Sequence, residues 1–123
     1  MNITQRHISK VFCPLSIGEL IDKITILKIK QKKISREKLK NINKELNLLE
    51  KIIYDKGIVM DLDLFSRLKE VNYKLWEVED KIRLKERKKE FDNEFIELAR
   101  SVYIENDKRA NIKREINNNY LSE

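Results

Sequence analysis

Residues 64–82 read LFSRLKEVNYKLWEVEDKI. Leu64, Leu68, Val71, Leu75, Val78 and Ile82 recur at steps of four and three, which aligns them along one side of an α-helix. A helix with so narrow an apolar seam holds only when the seam packs against other helices. The rest of the chain offers them. Leu39, Ile42, Leu46, Leu49 and Ile53 form a second three-four seam upstream. Before it, Ile17, Leu20, Ile21, Ile24 and Leu27 form a face that Ile26 and Ile29 widen, so this helix is expected to pack on more than one side. Downstream, Phe95, Leu98, Ala99, Val102 and Ile116 supply a fourth face. The expected fold is all-α: an antiparallel helical bundle of about four helices with coiled-coil-like seams.

The boundaries carry their own signals. Ser16-Ile17-Gly18-Glu19 reads as a capping box opening the first helix. Ser35 is a second N-cap candidate, with one continuous rod as the alternative. Gly57 suits the position after a helix end, Asp61 or Asp63 caps the third helix, and Asp92 caps the fourth. Residues 85–90 are all charged and close the third seam, and the Asn117-Asn118-Asn119 run reads as the fraying end of the fourth helix. Residues 1–15 show no helical period, and Pro14 holds Cys13 away from helix. The organisation is an extended N-terminal arm (1–15), a bundle (16–119) and a short tail (120–123), without repeat or linker.

Composition narrows the chemistry. Two glycines and one proline in 123 residues cannot furnish the turns of a sheet protein. They also exclude the glycine-rich phosphate loops. A lone Cys13 forbids an internal disulfide, and with His7 as the one histidine a Cys/His zinc site is not expected. No apolar run nears the ~20 residues of a membrane span. Lys10 and Pro14 break residues 8–17, so no signal peptide is read and a cytoplasmic protein is expected. The net charge of +6 is uneven: residues 1–60 carry 13 Lys/Arg against 6 Asp/Glu, residues 61–123 carry 14 against 15. Nucleic-acid binding is disfavoured even so, because residues 23–44 interleave no aromatics and contain a single arginine.

The most informative feature is polar. Asn72, Trp76, Glu79 and Arg83 stack along one face of the third helix, with Asp80 at its border. Trp is seldom a surface-stripe residue. On the fourth helix Tyr103, Asn106, Ala110 and Lys113 share a face, flanked by Asp107 and Arg109; on the first, Gly18, Asp22 and Thr25 share a line beside Lys23. The candidate cluster is therefore Asp22, Lys23, Asn72, Trp76, Glu79, Asp80, Arg83, Tyr103, Asn106, Asp107 and Arg109. Bundles use such groups to fix register, and enzymes use them to hold small anions. Glu19/Asp22, Glu77/Asp80 and Glu94/Glu97 also have the carboxylate spacing that holds Mg²⁺ in all-α nucleotide pyrophosphatases, but Glu19 already serves as a cap. No metal or cofactor is expected. The residues point to an accessory or binding protein, with a homodimer, a protein partner or a small anionic ligand as its partners, ahead of an enzyme.

Three segments resemble a family of short bacterial proteins of unknown function. They are Ser16-Ile-Gly-Glu-Leu-Ile-Asp-Lys-Ile-Thr-Ile-Leu27, the N-x-x-L-W-x-x-E-D-x-x-R element from Asn72 to Arg83, and the pair of runs from Phe95 to Tyr103 and from Asn106 to Ala110. The second element is similar to one in another uncharacterised bacterial family. The resemblance implies an all-helical fold and association with surface-polysaccharide and glycosyltransferase genes. A fainter likeness of residues 20–28 to the first helix of helical chorismate mutases implies dicarboxylate binding by Lys23, Arg83 and Arg109 as an alternative.

Overall fold

A computed structural model describes residues 10–121. Residues 1–9 of the arm, including His7, and residues 122–123 of the tail lie outside the described residues. Four helices follow one another, each antiparallel to the last: α1 (Ile17–Lys33), α2 (Arg36–Asp55), α3 (Leu62–Lys88) and α4 (Asn93–Leu121). Residues 10–15 have no regular structure and are exposed.

The caps behave as side-chain chemistry dictates. Ser16 Oγ accepts from the Glu19 amide at 3.2 Å, Asp61 Oδ1 accepts from the amides of Asp63 and Leu64, and Asp92 Oδ1 accepts from that of Phe95. The chain breaks between α1 and α2 at Ile34, where Ser35 occupies the N-cap position without a side-chain cap bond. Gly57 takes φ +63° and lets the amide of Ile58 reach back to Ile53 O, closing α2. Lys89 does the same for α3 at φ 55°, a conformation that costs a non-glycine residue about 1 kcal/mol. Helix α4 does not end at the asparagine run; it continues to Leu121 because Asn117 and Tyr120 have tertiary partners.

The wide apolar arc of α1 explains the architecture. α1 alone approaches all three other helices. On one side Leu20, Ile24 and Leu27 bury against Ile42 and Leu46 of α2. On the other, Ile21 joins Leu64 and Leu68 of α3 and Ile112 and Ile116 of α4. α1 thus lies in the trough of the α3/α4 hairpin, with α2 over its back. The fit is tight at Gly18, where an added Cβ would stand 2.7 Å from Lys113 O and 2.9 Å from Asn117 Oδ1. Length then matters. α1 has 17 residues against 27 and 29 in α3 and α4, so at ~1.5 Å per residue it leaves the distal hairpin uncovered.

Candidate functional site

The trough that receives α1 is polar at its centre. Asp22, 2% exposed, projects from α1 between α3 and α4. Arg109 of α4 clasps its carboxylate with a two-pronged grip, Nε to Oδ1 at 3.0 Å and Nη2 to Oδ2 at 2.5 Å. Asn72 of α3 donates from Nδ2 to Asp22 Oδ1 and to Thr25 Oγ1, both at 2.8 Å. The Thr25 hydroxyl donates to the backbone oxygen of Asp22, one turn back on α1, at 2.7 Å. Asn106 Oδ1 accepts a longer contact, 3.4 Å, from Arg109 Nη1. Lys113 reaches Glu19 at 2.6 Å and stands 3.9 Å from Asp22. One turn further on, Asn117 Oδ1 accepts from the Gly18 amide at 2.7 Å. Among the described residues no buried side-chain nitrogen or oxygen lacks a partner.

Electrostatics follow from this packing. Burial works to raise the pKa of Asp22, but hydrogen bonds from Arg109 and Asn72 and the charges of Arg109 and Lys113 outweigh it and hold the carboxyl below its usual range. The same carboxylate raises the pKa of Arg109. A folded-state pKa below the unfolded one stabilises the fold above the unfolded value, about 3.9, and the gain disappears as pH falls through the folded value. Asp22→Asn should therefore lower stability most at neutral pH. In urea melts its deficit relative to the parent should shrink below about pH 4; a deficit constant from pH 7 to pH 3 would contradict this.

Not every candidate residue joins the cluster. The packing brings Asp22, Asn72, Asn106 and Arg109 together, and Trp76 lies half-buried along the same face of α3. Arg83 does not turn toward Asp22. It lies eleven residues beyond Asn72, about 16 Å along the helix, and pairs with Asp80 at 3.1 Å and Glu79 at 3.7 Å on its own exposed face. Lys23, Tyr103 and Asp107 are exposed. Glu19, read as half of the capping box, sends its carboxylate to Lys113. Glu105 went unread: 3% exposed, it accepts from Lys108 at 3.1 Å and is paired with Lys74 at 3.2 Å. Burial works to raise its pKa, and the two lysines reverse this. Its position was legible, because Leu98, Val102, Glu105, Arg109, Ile112 and Ile116 step by four and three along the side of α4 that meets α3. It lines an open cleft of about 760 Å³ formed by α3 and α4 alone, together with Arg67, Lys74, Lys108 and Arg114.

Among the described residues no three His, Cys, Asp or Glu side chains come together as a metal site. No helix among them is long and apolar enough to cross a membrane. Residues 11–123 match a family model described as a family of unknown function, DUF6165. No curated protein and no solved structure matches the chain.

Proposed function

We propose that this chain, which belongs to the DUF6165 family of unknown function, is a helical accessory and binding module that self-associates, and that its central polar cluster locks the bundle instead of receiving a ligand. The observation that supports the locking role is the saturation of Asp22: Arg109 and Asn72 take both of its oxygens, and Thr25 is tied to the same asparagine. A site that awaits a small anion keeps cations free, whereas here Arg109 is engaged by a carboxylate of the same chain. The register of α1 in the trough is what such a cluster specifies, since a slip of one turn would leave Asp22 buried and unpaired. The setting suggested by the resemblance, surface-polysaccharide biosynthesis, fits an accessory protein that works by contact with other proteins.

Thermal melts test this against the ligand reading. A ligand that binds only the folded state raises the melting temperature by mass action. Inorganic phosphate, a dicarboxylate such as malonate and a nucleoside diphosphate, each at millimolar concentration, should leave the transition unshifted in both the parent chain and Asn106→Leu. A saturable rise with any of them that Asn106→Leu abolishes would assign a ligand to the cluster.

A further inference from the structure

Residues 28–44 hold eight Lys/Arg against Glu37, a net +7 in a chain whose whole excess is +6. The break at Ile34 gathers this run into one place, because the last turns of α1 and the first turns of α2 lie side by side. Gln31 fixes their level: its Nε2 donates to Asn43 Oδ1 at 2.7 Å, which leaves the Asn43 amide nitrogen as a donor. Among the described residues none of the eight cations pairs with a carboxylate. In α3 and α4, by contrast, Arg67, Lys74, Lys85 and Arg109 each hold a carboxylate. The charge at the α1–α2 end is left to solvent. One side of it is also shaped. Arg36, Lys40, Asn43, Lys44 and Asn47 line a shallow depression of about 700 Å³ that runs about 16 Å along α2 and contains no carboxylate.

We infer that this surface binds single-stranded nucleic acid, with phosphates on the lysines and a base against Tyr73. The inference goes beyond the role proposed above and uses residues outside the polar lock. Residues 23–44 contain no aromatic side chain, but the fold brings two from α3. Lys28 Nζ lies 5.6 Å from the centre of the Phe65 ring and Lys33 Nζ 4.9 Å from that of Tyr73, which is 41% exposed. Phe65 stands on the depression's side of the bundle: Asn43, Asn47 and Glu50 share a flank of α2, and Glu50 lines a small cleft with Lys28 and Phe65. Lys69 and Tyr73 continue the row from Phe65 at steps of four. The carboxylates at the margins do not cancel the charge. Helical periodicity turns Lys30 and Lys38 away from this side, where they add only to its potential. Seven cations remain, Lys28, Lys32, Lys33, Arg36, Lys40 and Lys44 with Lys69, against Glu37, Glu50 and Glu77. Asp80, further along α3, is answered by Arg83 at 3.1 Å. A single arginine gives little scope for bidentate base readout, so binding without sequence preference follows. A lipid surface is the poorer fit, because it takes exposed apolar side chains as well as lysines. Val11, Phe12, Val59 and Leu62, each more than three-quarters exposed, lie at the opposite end of α1 and α2. A lone phosphate meets only one or two of the cations, whereas a strand meets several at once, so melts unshifted by phosphate or a nucleoside diphosphate are expected of this surface too.

Fluorescence anisotropy of the full chain with a labelled mixed-sequence strand of about 16 nucleotides tests this, the strand supplied as RNA and as DNA to tell the two sources apart. At about 50 mM salt the parent should bind with a Kd of about 1–100 µM and weaken steeply as salt rises. Lys40→Ala/Lys44→Ala should weaken binding about fivefold or more and flatten the slope of log K against log salt by about 1.4, two phosphate contacts at ~0.7 each. Arg87→Ala/Lys88→Ala, the same charge removed from the far end of α3, should change affinity by less than about twofold. Tyr73→Ala should weaken binding about fivefold or more, and Tyr73→Phe should keep it. All of these positions are exposed, so helicity should hold in every variant. No binding by the parent, equal losses from the two paired variants, or a silent Tyr73→Ala would overturn the proposal. So would a duplex of the same sequence held more tightly than the strand. Phosphatidylserine vesicles bound with the same dependence on Lys40 and Lys44 would give the surface to a membrane instead.

Discussion

Arg109→Ala should destabilise the fold by about 3–5 kcal/mol, the cost of stranding a buried charge without its partner. The charge stranded is Asp22, whose side chain is 2% exposed and whose two oxygens both receive Arg109. Asn72 would remain as a donor, and Lys113, 3.9 Å away and engaged by Glu19, could move in to relieve part of the loss. In a domain of this size that free energy corresponds to a fall of roughly 10 °C or more in melting temperature. Two controls give the measurement its meaning. Arg83→Ala should change stability by no more than about 0.5 kcal/mol, because Arg83 is 62% exposed and pairs only along its own helix. Asp22→Leu/Arg109→Leu should lose much less than Arg109→Ala, because removing both partners removes the unpaired charge. If Arg109→Ala melted like Arg83→Ala, the cluster would not be the lock of the bundle.

Leu68→Ala is expected to cost about 2–5 kcal/mol. Leu68 is fully buried where three helices meet, among Ile21 of α1, Leu64 of α3 and Ile112 and Ile116 of α4. Those neighbours are held by helices on opposite sides of the void, so the site cannot collapse by moving one of them, and the cavity term adds to the transfer term. Urea unfolding should show a lower midpoint with an unchanged slope. Leu84→Ala, at a 48% exposed position on the same helix, should have a small effect. Comparable losses at the two positions would contradict the difference in burial between Leu68 and Leu84.

The contrast between these residues shows where sequence reading succeeds. The seams of α2 and α3 and the broad face of α1 were legible because burial is periodic: a side chain's place around a helix follows from its number. The caps at Ser16, Asp61 and Asp92 were legible because a short polar side chain beside free amides has a single use. Asp22, Asn72, Asn106 and Arg109 stood out as polar groups on faces that pack. Arg83 looked equivalent to Arg109, since both are arginines on polar stripes. Height along the bundle separates them, and height depends on how far α1 extends before Ile34 ends it. Asn117 was passed over for a similar reason, because an asparagine in an asparagine run looks like a solvent-facing residue until the facing helix is known. Glu105 was masked by its charged neighbours although it stands on the three-four row that Leu98, Val102, Ile112 and Ile116 define.

The sequence by itself thus determined the helices, their limits to within a few residues, and which side of each turns inward, because these follow from local periodicity and from short-range hydrogen bonds. Only the tertiary structure decided that α1 lies in the trough of the α3/α4 hairpin, that Arg109 holds Asp22, and that the hairpin end stands uncovered. Those outcomes depend on the relative heights of helices far apart in the chain, and a period that repeats every turn is the same at every height.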